Sequence, residues 1–423
     1  MGPPHIAGFK PTARIYKMAI LLAAAVAVSL TMWMASSLLG TELAPSLGAK
    51  LPGVLGGAKQ PAAGSITTSV QGSARVPYED PAAPGARVNG AMVALVRNSE
   101  LDGLRKSIRM FEDRFNRRFK YPYVLLNDQN FTQEFRDGIA AITKNEVRYG
   151  VLDNTQWAYS PSVTAEGTAE MLELNKNRYM YGGSLSYRFM CRFQSGMFYR
   201  HPLVRDLDWY WRIEPDVEYY CDIDYDPFVY MRDNGIKYGF TIAPREGRYT
   251  VESLWYHTRE WIKKNSDLLP ARSLVNWVMG TDGHYNLCHF WSNFEIVDLS
   301  LYRSAAYESY FRYLDDAKGF FYERWGDAPV HSIAASLLLA KGEIHWFEDI
   351  GYKHPGMMHC PRDAAMHSKC ICDPAKSYTY RSACQTRFAK VNNMNKERML
   401  QLINNSEADY RSFNETAPEL APA

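Results

Sequence analysis

The sequence predicts an α/β fold in which a mixed, mostly parallel central sheet is flanked by helices and follows an N-terminal membrane anchor. Two observations lead to it: strand and helix patterns alternate from Ala91 to Val151, and residues 19–39 form an apolar run. Strands that alternate with helices are typical of parallel sheets covered on both faces. Of the 423 residues 46% are hydrophobic, so the chain can bury a large core.

The apolar run AILLAAAVAVSLTMWMASSLL, residues 19–39, contains no Asp, Glu, Lys or Arg. At about 1.5 Å per residue a helix of this length crosses a hydrocarbon core of about 30 Å. Lys10, Arg14 and Lys17 precede it, so the positive-inside rule predicts a cytoplasmic tail over residues 1–18 and a lumenal remainder. A cleaved signal peptide is the alternative, but its apolar region normally spans about 7 to 15 residues. We therefore expect an uncleaved type II anchor.

Residues 40–88 are rich in Ala, Gly, Pro and Ser. Such a composition does not bury enough surface to fold, so we expect a flexible lumenal stem there and a globular domain over residues 89–423. A lumenal location agrees with three N-x-Ser/Thr glycosylation acceptors, at Asn130, Asn404 and Asn414.

The seven cysteines predict three disulfides and one unpaired thiol in an oxidising lumen. Four of them cluster near the carboxyl terminus and are expected to staple loops: Cys360, Cys370, Cys372 and Cys384. A zinc site built from Cys370 and Cys372 with His359 or His367 is the alternative, but the two-residue spacer of common zinc motifs is missing.

The first elements of the globular domain form a β-α-β unit. AMVALVR, from Ala91, reads as a buried strand, and YPYVLLND, residues 121–128, reads as a second one. The segment between them has apolar residues at helical spacing and basic residues on the other face: Arg105, Lys106, Arg109, Arg114, Arg117 and Arg118. Because these charges fit a solvated helix face and the formal net charge is only +2, we expect no nucleic-acid partner.

The alternation of elements continues along the chain. We predict a helix over about residues 132–144 and a short strand over 147–151. Further strands are predicted at WYWRI, from Trp209, and YGFTIA, from Tyr238, and a long helix at about residues 251–265. Asp327 and His331 are expected ahead of an apolar helix, and His354 in a Pro/Gly loop after a strand-like segment.

One carboxylate, Glu295, lies among aromatic and apolar residues in YNLCHFWSNFEI, residues 285–296. An acid in such surroundings loses hydration, and such environments are over-represented in active sites. The alternative is a Glu that points to solvent or caps a backbone group.

A second acidic site follows the strand WYWRI, where Glu214 and Asp216 flank Pro215. Ligands of open α/β sheets bind beyond the carboxyl ends of the strands. No Gly-x-Gly-x-x-Gly or Walker A loop is present, so a nucleotide would be held through a divalent cation, for which these carboxylates are suitable ligands. Three further acids alternate in DIDYD and are either ligands, solvated groups or a helix cap: Asp222, Asp224 and Asp226. A loop imidazole such as His354 could also reach a metal.

Five long stretches, in order, resemble the fungal Golgi α-1,2-mannosyltransferases of the Kre/Ktr kind, glycosyltransferase family fifteen. They are YGGSLSYRFMCRFQSGMFYRHP, WYWRIEPDVEYYCDIDYD, KYGFTI, YNLCHFWSNFEI and GFFYERWGDAPVHSIA. The resemblance covers the chain from about Ala91 to its end. It implies a GT-A-like nucleotide-sugar transferase domain that uses Mn²⁺ to move mannose from GDP-mannose to a mannosyl acceptor with retention of configuration.

The resemblance also implies roles for single residues. Glu295 matches the family's proposed nucleophile, and Tyr187 and Asp327 match other catalytic positions. Glu214 and Asp216 match a metal-binding Glu-Pro-Asp motif, and His354 matches a metal-binding histidine. Arg97 and Glu246, with Glu214 and Asp216, complete the donor-binding set. One departure is GYKHPGMMHCP, which lacks a second His before His354 and an aromatic residue after it.

The same resemblance places the protein in the Golgi membrane, with acceptors on O- or N-linked glycans of cell-wall mannoproteins. Three other functions share these features. A mannosylphosphate transferase would differ only in its product, and a membrane-anchored glycosidase would need no diphosphate-metal site. A non-catalytic mannan-binding protein would tolerate Glu295→Gln.

Overall fold

A seven-stranded sheet runs through the computed structural model of the chain, which describes residues 87–406. Its strands, in the order in which they lie side by side, are β3 (Val147–Val151), β2 (Tyr123–Asn127), β1 (Gly90–Leu95), β4 (Trp209–Arg212), β8 (Ile296–Asp298), β6 (Tyr238–Phe240) and β9 (Ile344–Trp346). Only β8 runs antiparallel to its neighbours in this sheet. The predicted mixed, mostly parallel sheet is therefore confirmed.

Two smaller sheets accompany the large one. The first contains β5 (Glu218–Tyr219), β10 (Tyr352–His354) and β11 (Met357–His359), and the second contains β7 (Arg272–Ser273) and β12 (Met394–Asn395). In the first sheet β10 pairs antiparallel with both β5 and β11. The first sheet thus holds the segment around His354 against the chain that follows β4.

Helices cover both faces of the large sheet. In chain order they are α1 (Leu101–Phe111), α2 (Gln133–Ala140), α3 (Ala165–Asn175), α4 (Leu185–Gly196), α5 (Pro227–Asp233), α6 (Leu254–Lys264), α7 (Ala305–Asp316), α8 (Gly319–Tyr322), α9 (Asp327–Leu338), α10 (Ala364–His367), α11 (Ala383–Lys390) and α12 (Lys396–Asn405). After α1 the chain continues through a π-helical segment, Glu112–Asn116, into a last turn, Arg117–Phe119.

Alternation along β1 shows how the two faces are built. Ala91 and Val93 belong to the hydrophobic cluster that includes α4, α6, α7 and α9. Met92 and Ala94 belong to the opposite cluster with α1, α2 and α5. Because both faces are buried, β1 is apolar throughout, which made it recognisable as a central parallel strand.

Most predicted elements are present, and a few boundaries differ. Thr132 caps α2 through its side chain, and the helix ends at Ala140, short of the predicted residue 144. Asp327 is the first residue of α9 and His331 lies inside it, so neither precedes the helix as expected. His354 ends β10 instead of lying in a free loop, and the turn that follows contains Gly356 at φ +99°.

The acidic segment DIDYD is structural. Asp226 caps α5 by accepting hydrogen bonds from the backbone N–H groups of Phe228 and Val229. Asp222 pairs with Arg114, and Asp224 pairs with Lys369. The helix-cap alternative is therefore correct for Asp226, and the other two acids are engaged by basic side chains.

Three disulfides form in the described part of the chain, and the seventh cysteine, Cys191, is buried and free. Cys360 pairs with Cys372, which is the predicted loop staple. The other two bonds join the terminal cluster to the body of the domain: Cys221 to Cys370 and Cys288 to Cys384. Because Cys370 and Cys372 are both oxidised, the zinc alternative is wrong.

Buried His359 makes the stability of this region sensitive to acid. Its Nε2 lies 2.8 Å from the carbonyl oxygen of Glu348 and its Nδ1 2.8 Å from the Thr379 hydroxyl, and burial lowers its pKa to about 4. His359 therefore becomes protonated near pH 6.5 in the unfolded chain, whereas in the folded chain it stays neutral until about pH 4. We expect this residue to reduce the free energy of unfolding by about 2 kcal/mol between pH 7 and pH 5.

Urea unfolding of the wild type and of His359→Gln at pH 7 and pH 5 measures this change in the free energy of unfolding. The variant should lose about 2 kcal/mol less than the wild type on acidification, because glutamine does not titrate. An identical loss in both proteins would contradict the expectation.

Several sequence predictions fall outside the described residues. They are the cytoplasmic tail at 1–18, the anchor at 19–39, nearly all of the stem at 40–88, and the acceptor Asn414. Within residues 87–406 no helix has the length and apolar character needed to span a bilayer. The acceptors Asn130 and Asn404 are both exposed, as glycosylation requires.

Candidate active site

The site lies at one edge of the large sheet, where three chain segments meet. The parallel strands β1 and β4 both end there, and antiparallel β8 begins there. The Arg212 N–H donates to the carbonyl oxygen of Glu295 over 2.9 Å, so the end of β4 and the residue before β8 are paired. The two acidic motifs found in the sequence are thereby brought to the same edge.

Arg212 is the buried centre of the site. Its Nε lies 2.8 Å from Glu214 Oε1, and its Nη1 lies 2.5 Å from Asp327 Oδ2. Burial would raise the pKa of both carboxyls, but the guanidinium outweighs it: the pKa of Glu214 falls to about 2 and that of Asp327 is also lowered. Two ionised carboxylates therefore share one cation, and the group has an excess of negative charge.

His354 adds a nitrogen donor to this group. Its Nε2 lies 3.3 Å from Glu214 Oε2, and its ring packs edge-on against Trp291 with the ring centroids 4.9 Å apart. The other nitrogen, Nδ1, is buried without a hydrogen-bond partner in the described structure. The nitrogen that faces the ionised carboxylate, Nε2, is the one that a divalent cation shared with Glu214 would bind, and the excess negative charge favours such a cation.

Glu295 is completely buried and enclosed by hydrogen-bond donors. The hydroxyls of Tyr210, Tyr238 and Tyr302 and Nδ1 of His331 all contact its carboxylate, the Tyr238 hydroxyl at 2.8 Å and His331 at 3.1 Å. The alternative of a solvent-facing Glu is therefore wrong. Both carboxylate oxygens are occupied, so this placement favours an electrostatic role over covalent attack.

A second group of side chains lies beside Asp327. Arg324 donates to the hydroxyl of Tyr187 over 3.0 Å and to Oε1 of Glu246 over 3.3 Å. Burial raises the pKa of Tyr187 well above its usual value, so the hydroxyl keeps its proton at neutral pH. Gly326, the residue before Asp327, lies against Glu246, since an added Cβ would be 3.9 Å from Oε2, so this group and the Arg212 group are parts of one site.

Two predicted residues lie apart from these groups. Asp216 is exposed and adopts φ +60°, and its carboxylate faces Gly103 in the first turn of α1, where an added Cβ would lie 2.8 Å from Oδ2. Arg97 is exposed just beyond the end of β1. The structure thus brings Glu214 and His354 together, and places Asp216 at the start of a neighbouring helix.

Sequence reasoning missed several residues that build the site. Arg212 and Tyr210 alternate with Trp209 and Trp211 along β4, so a period of two places them on the face that carries Glu295. The signal in the sequence was Arg212 itself, a charged residue inside the otherwise apolar WYWRI. No local signal marks Tyr302 or Arg324, since their roles depend on long-range packing.

Comparisons with known proteins agree with this geometry. The family described as glycolipid 2-alpha-mannosyltransferase matches residues 58–393. The chain is 46% identical over 346 residues to the alpha-1,2 mannosyltransferase KTR1 of Saccharomyces cerevisiae, covering 81% of this chain and 88% of that protein. It is 43% identical over 363 residues to glycolipid 2-alpha-mannosyltransferase 1 of Candida albicans, covering 84% of each.

Two solved structures have the same fold. Core-mannan synthase A (CmsA/Ktr4) of Aspergillus fumigatus, in its Mn/GDP form, superposes with a TM-score of 0.67 at 37% identity, covering 76% of this chain and 86% of that one. The mannosyltransferase Ktr4p of Saccharomyces cerevisiae, in complex with GDP, gives a TM-score of 0.67 at 36% identity, covering 77% and 83%.

Proposed function

The chain belongs to the glycolipid 2-alpha-mannosyltransferase family, and from this membership and the geometry of its site we propose that it transfers mannose from GDP-mannose to the 2-hydroxyl of a mannosyl acceptor. One observation supports the proposal most: an ionised Glu214 lies 3.3 Å from Nε2 of His354 at the carboxyl edge of the sheet. Nucleotide diphosphates bind at such edges in α/β folds.

Glu214 and His354 would hold Mn²⁺, which when bound supplies positive charge to the diphosphate that leaves the sugar. Arg212 keeps Glu214 ionised and fixes its orientation. Asp216, at φ +60° beside the start of α1, would line the donor site next to Glu214. Arg97, beyond the end of β1, would bind the donor nucleotide.

We propose that transfer retains the configuration of mannose through attack from the face of the leaving group. The bond from the sugar carbon to the diphosphate oxygen breaks, the bond to the acceptor oxygen forms, and the acceptor proton passes to the diphosphate. Tyr187, whose hydroxyl keeps its proton, would hydrogen-bond the oxygens that exchange at the sugar. Asp327 and Glu246 would orient the acceptor hydroxyls.

Glu295 would stabilise the cationic sugar through its charge, from within its cage of donors. We expect Glu295→Gln to lower kcat by about 10²-fold with little change in either KM, because charge is lost while shape is kept. Activity of the full chain in detergent, with and without added azide, measures this. Restored turnover that yields mannosyl azide would contradict the electrostatic role and indicate a covalent intermediate.

Glu112→Gln is the matched control for this variant. Glu112 is also buried and accepts hydrogen bonds from the hydroxyls of Tyr123 at 2.7 Å and Thr143 at 2.9 Å, but it lies in the opposite layer of the domain. Its kcat per folded molecule should equal that of the wild type.

We also propose that the protein is a single-pass type II protein of the Golgi membrane with a lumenal domain that acts on O- or N-linked glycans. The apolar run at 19–39, the basic residues before it, the three disulfides and the exposed acceptors support this.

The function is tested by incubating the full chain in detergent with GDP-mannose and methyl α-mannoside, with and without Mn²⁺. An α-1,2-linked dimannoside that forms only with the metal would support the proposal. A mannosylphosphate product would indicate the related phosphate transfer. Hydrolysis of separately added α-1,2-linked dimannoside, without GDP binding, would indicate a glycosidase, and binding of that dimannoside without turnover would indicate a mannan-binding protein.

A further inference from the structure

Tyr181 has an unusual conformation at the rim of the site. Its φ is +61°, in the left-handed region that bulky residues rarely adopt, and 54% of the residue is exposed. One face of its ring stacks on Tyr187, with centroids 4.5 Å apart and planes 11° from parallel. Backbone strain of this kind persists where the surrounding structure enforces it, and it is concentrated at ligand sites.

The surrounding structure does enforce it. Arg188 is completely buried, and its Nη1 donates to the carbonyl oxygens of Tyr181 and Ser184, each over 3.1 Å, while its Nε donates to that of Phe321 over 3.1 Å. The next residue, Gly182, packs so closely that an added Cβ would lie 1.9 Å from the carbonyl oxygen of Asn175. Tyr181 is thus held in place before any ligand arrives, which lowers the entropic cost of binding.

The neighbourhood of Tyr181 is continuous with the proposed acceptor site. Arg324, which contacts the Tyr187 hydroxyl and Glu246, also lies over the ring of Tyr179, 5.7 Å from its centroid. Arg178 on the same segment faces Glu252 at 3.7 Å, next to the turn that follows Glu246. An apolar ring face thus lies among groups that can hydrogen-bond hydroxyls.

We propose, on the basis of the proposed function, that Tyr181 is the stacking platform for the second mannose of the acceptor, the residue on the reducing side of the one that receives mannose. A pyranose presents an apolar face of C–H groups and a rim of hydroxyls, which suits a tyrosine face with polar neighbours. Tyr187 holds the reacting hydroxyl, and its stacking partner Tyr181 extends the same surface outward. The enzyme therefore prefers a mannobiose unit over a single mannose.

The test compares methyl α-mannoside with α-mannobiose as acceptors of the full chain in detergent, with GDP-mannose and Mn²⁺. Tyr181→Ala and Tyr181→Gly should lower kcat/KM for mannobiose about tenfold and leave that for methyl α-mannoside within about twofold, while Tyr181→Phe keeps both. Because glycine relieves the left-handed backbone, Tyr181→Gly should unfold at the same temperature as the wild type or higher. Ile371→Ala, at an exposed site elsewhere, should change kcat/KM for neither acceptor.

Equal losses with both acceptors would overturn the proposal, since Tyr181 would then only support Tyr187. If the wild type transfers mannose normally and Tyr181→Gly has no effect, the stacking role of Tyr181 is refuted while the proposed function stands. No transfer by the wild type to either acceptor would refute the proposed function as well.

Discussion

Glu214→Gln is expected to lower turnover by about 10³-fold and to remove most of its dependence on Mn²⁺. Glu214 lies 3.3 Å from Nε2 of His354, and its pKa of about 2 keeps it ionised. Glutamine has a similar shape but no charge, so the site would lose the ligand that attracts a hard cation and with it the charge that stabilises the leaving diphosphate. Steady-state rates across a Mn²⁺ titration, together with calorimetric binding of GDP with and without the metal, measure the effect.

Glu218→Gln is the matched control. Glu218 lies on β5, pairs with Lys353 at 2.7 Å at the surface, and does not reach the Arg212 group. Its Mn²⁺ titration should coincide with that of the wild type. If Glu214→Gln kept a normal metal response, the cation would have to be held by other residues, and the proposed donor set would be wrong.

Arg212→Met is expected to destabilise the fold by about 3–5 kcal/mol and to abolish activity. The substitution leaves the buried Asp327 and the partly buried Glu214 without the guanidinium that both share. Uncompensated carboxylates in the interior take up protons, so the pKa of each should rise. Urea unfolding gives the stability, and rates corrected for the folded fraction give the activity.

Arg192→Met is the control that separates loss of stability from loss of activity. Arg192 makes a buried two-point ion pair with Asp315, at 2.7 and 2.8 Å, outside the site. Its loss should cost a similar free energy of unfolding, because one carboxylate is again left unpaired, yet folded molecules should keep normal turnover. A loss below about 1 kcal/mol for Arg212→Met would show that the carboxylates find other partners.

Much of the sheet could be predicted from the sequence because its central strands are buried on both faces. Within these strands AMVAL and YVLL are apolar without interruption, which is typical of a parallel strand that is covered on both faces. The short β6 and β8 were harder to delimit, since only three residues of each pair in the sheet. His354 was expected in a loop because the β10 to β11 turn carries Pro and Gly, and its pairing with β5 is a long-range contact.

The sequence identified the acidic residues of the site but not how they are arranged. Glu295 was recognised by its apolar surroundings, and its complete burial agrees with that interpretation. The cage around it draws Tyr210 and Tyr238 from two distant strands and adds Tyr302 from further along the chain, so no single spacing in the sequence reveals it. Asp216 was grouped with Glu214 by proximity along the chain, whereas its left-handed backbone turns it toward α1.

The bond between Cys288 and Cys384 gives the protein a fixed order of maturation. Cys288 belongs to the same motif as Glu295, and its partner follows 96 residues later. During synthesis that motif therefore stays untethered until the α11 segment has emerged and Cys384 has been oxidised. A nascent or prematurely terminated chain lacks this bond, so the segment that carries Glu295 is fastened only after Cys384 has been synthesised and oxidised.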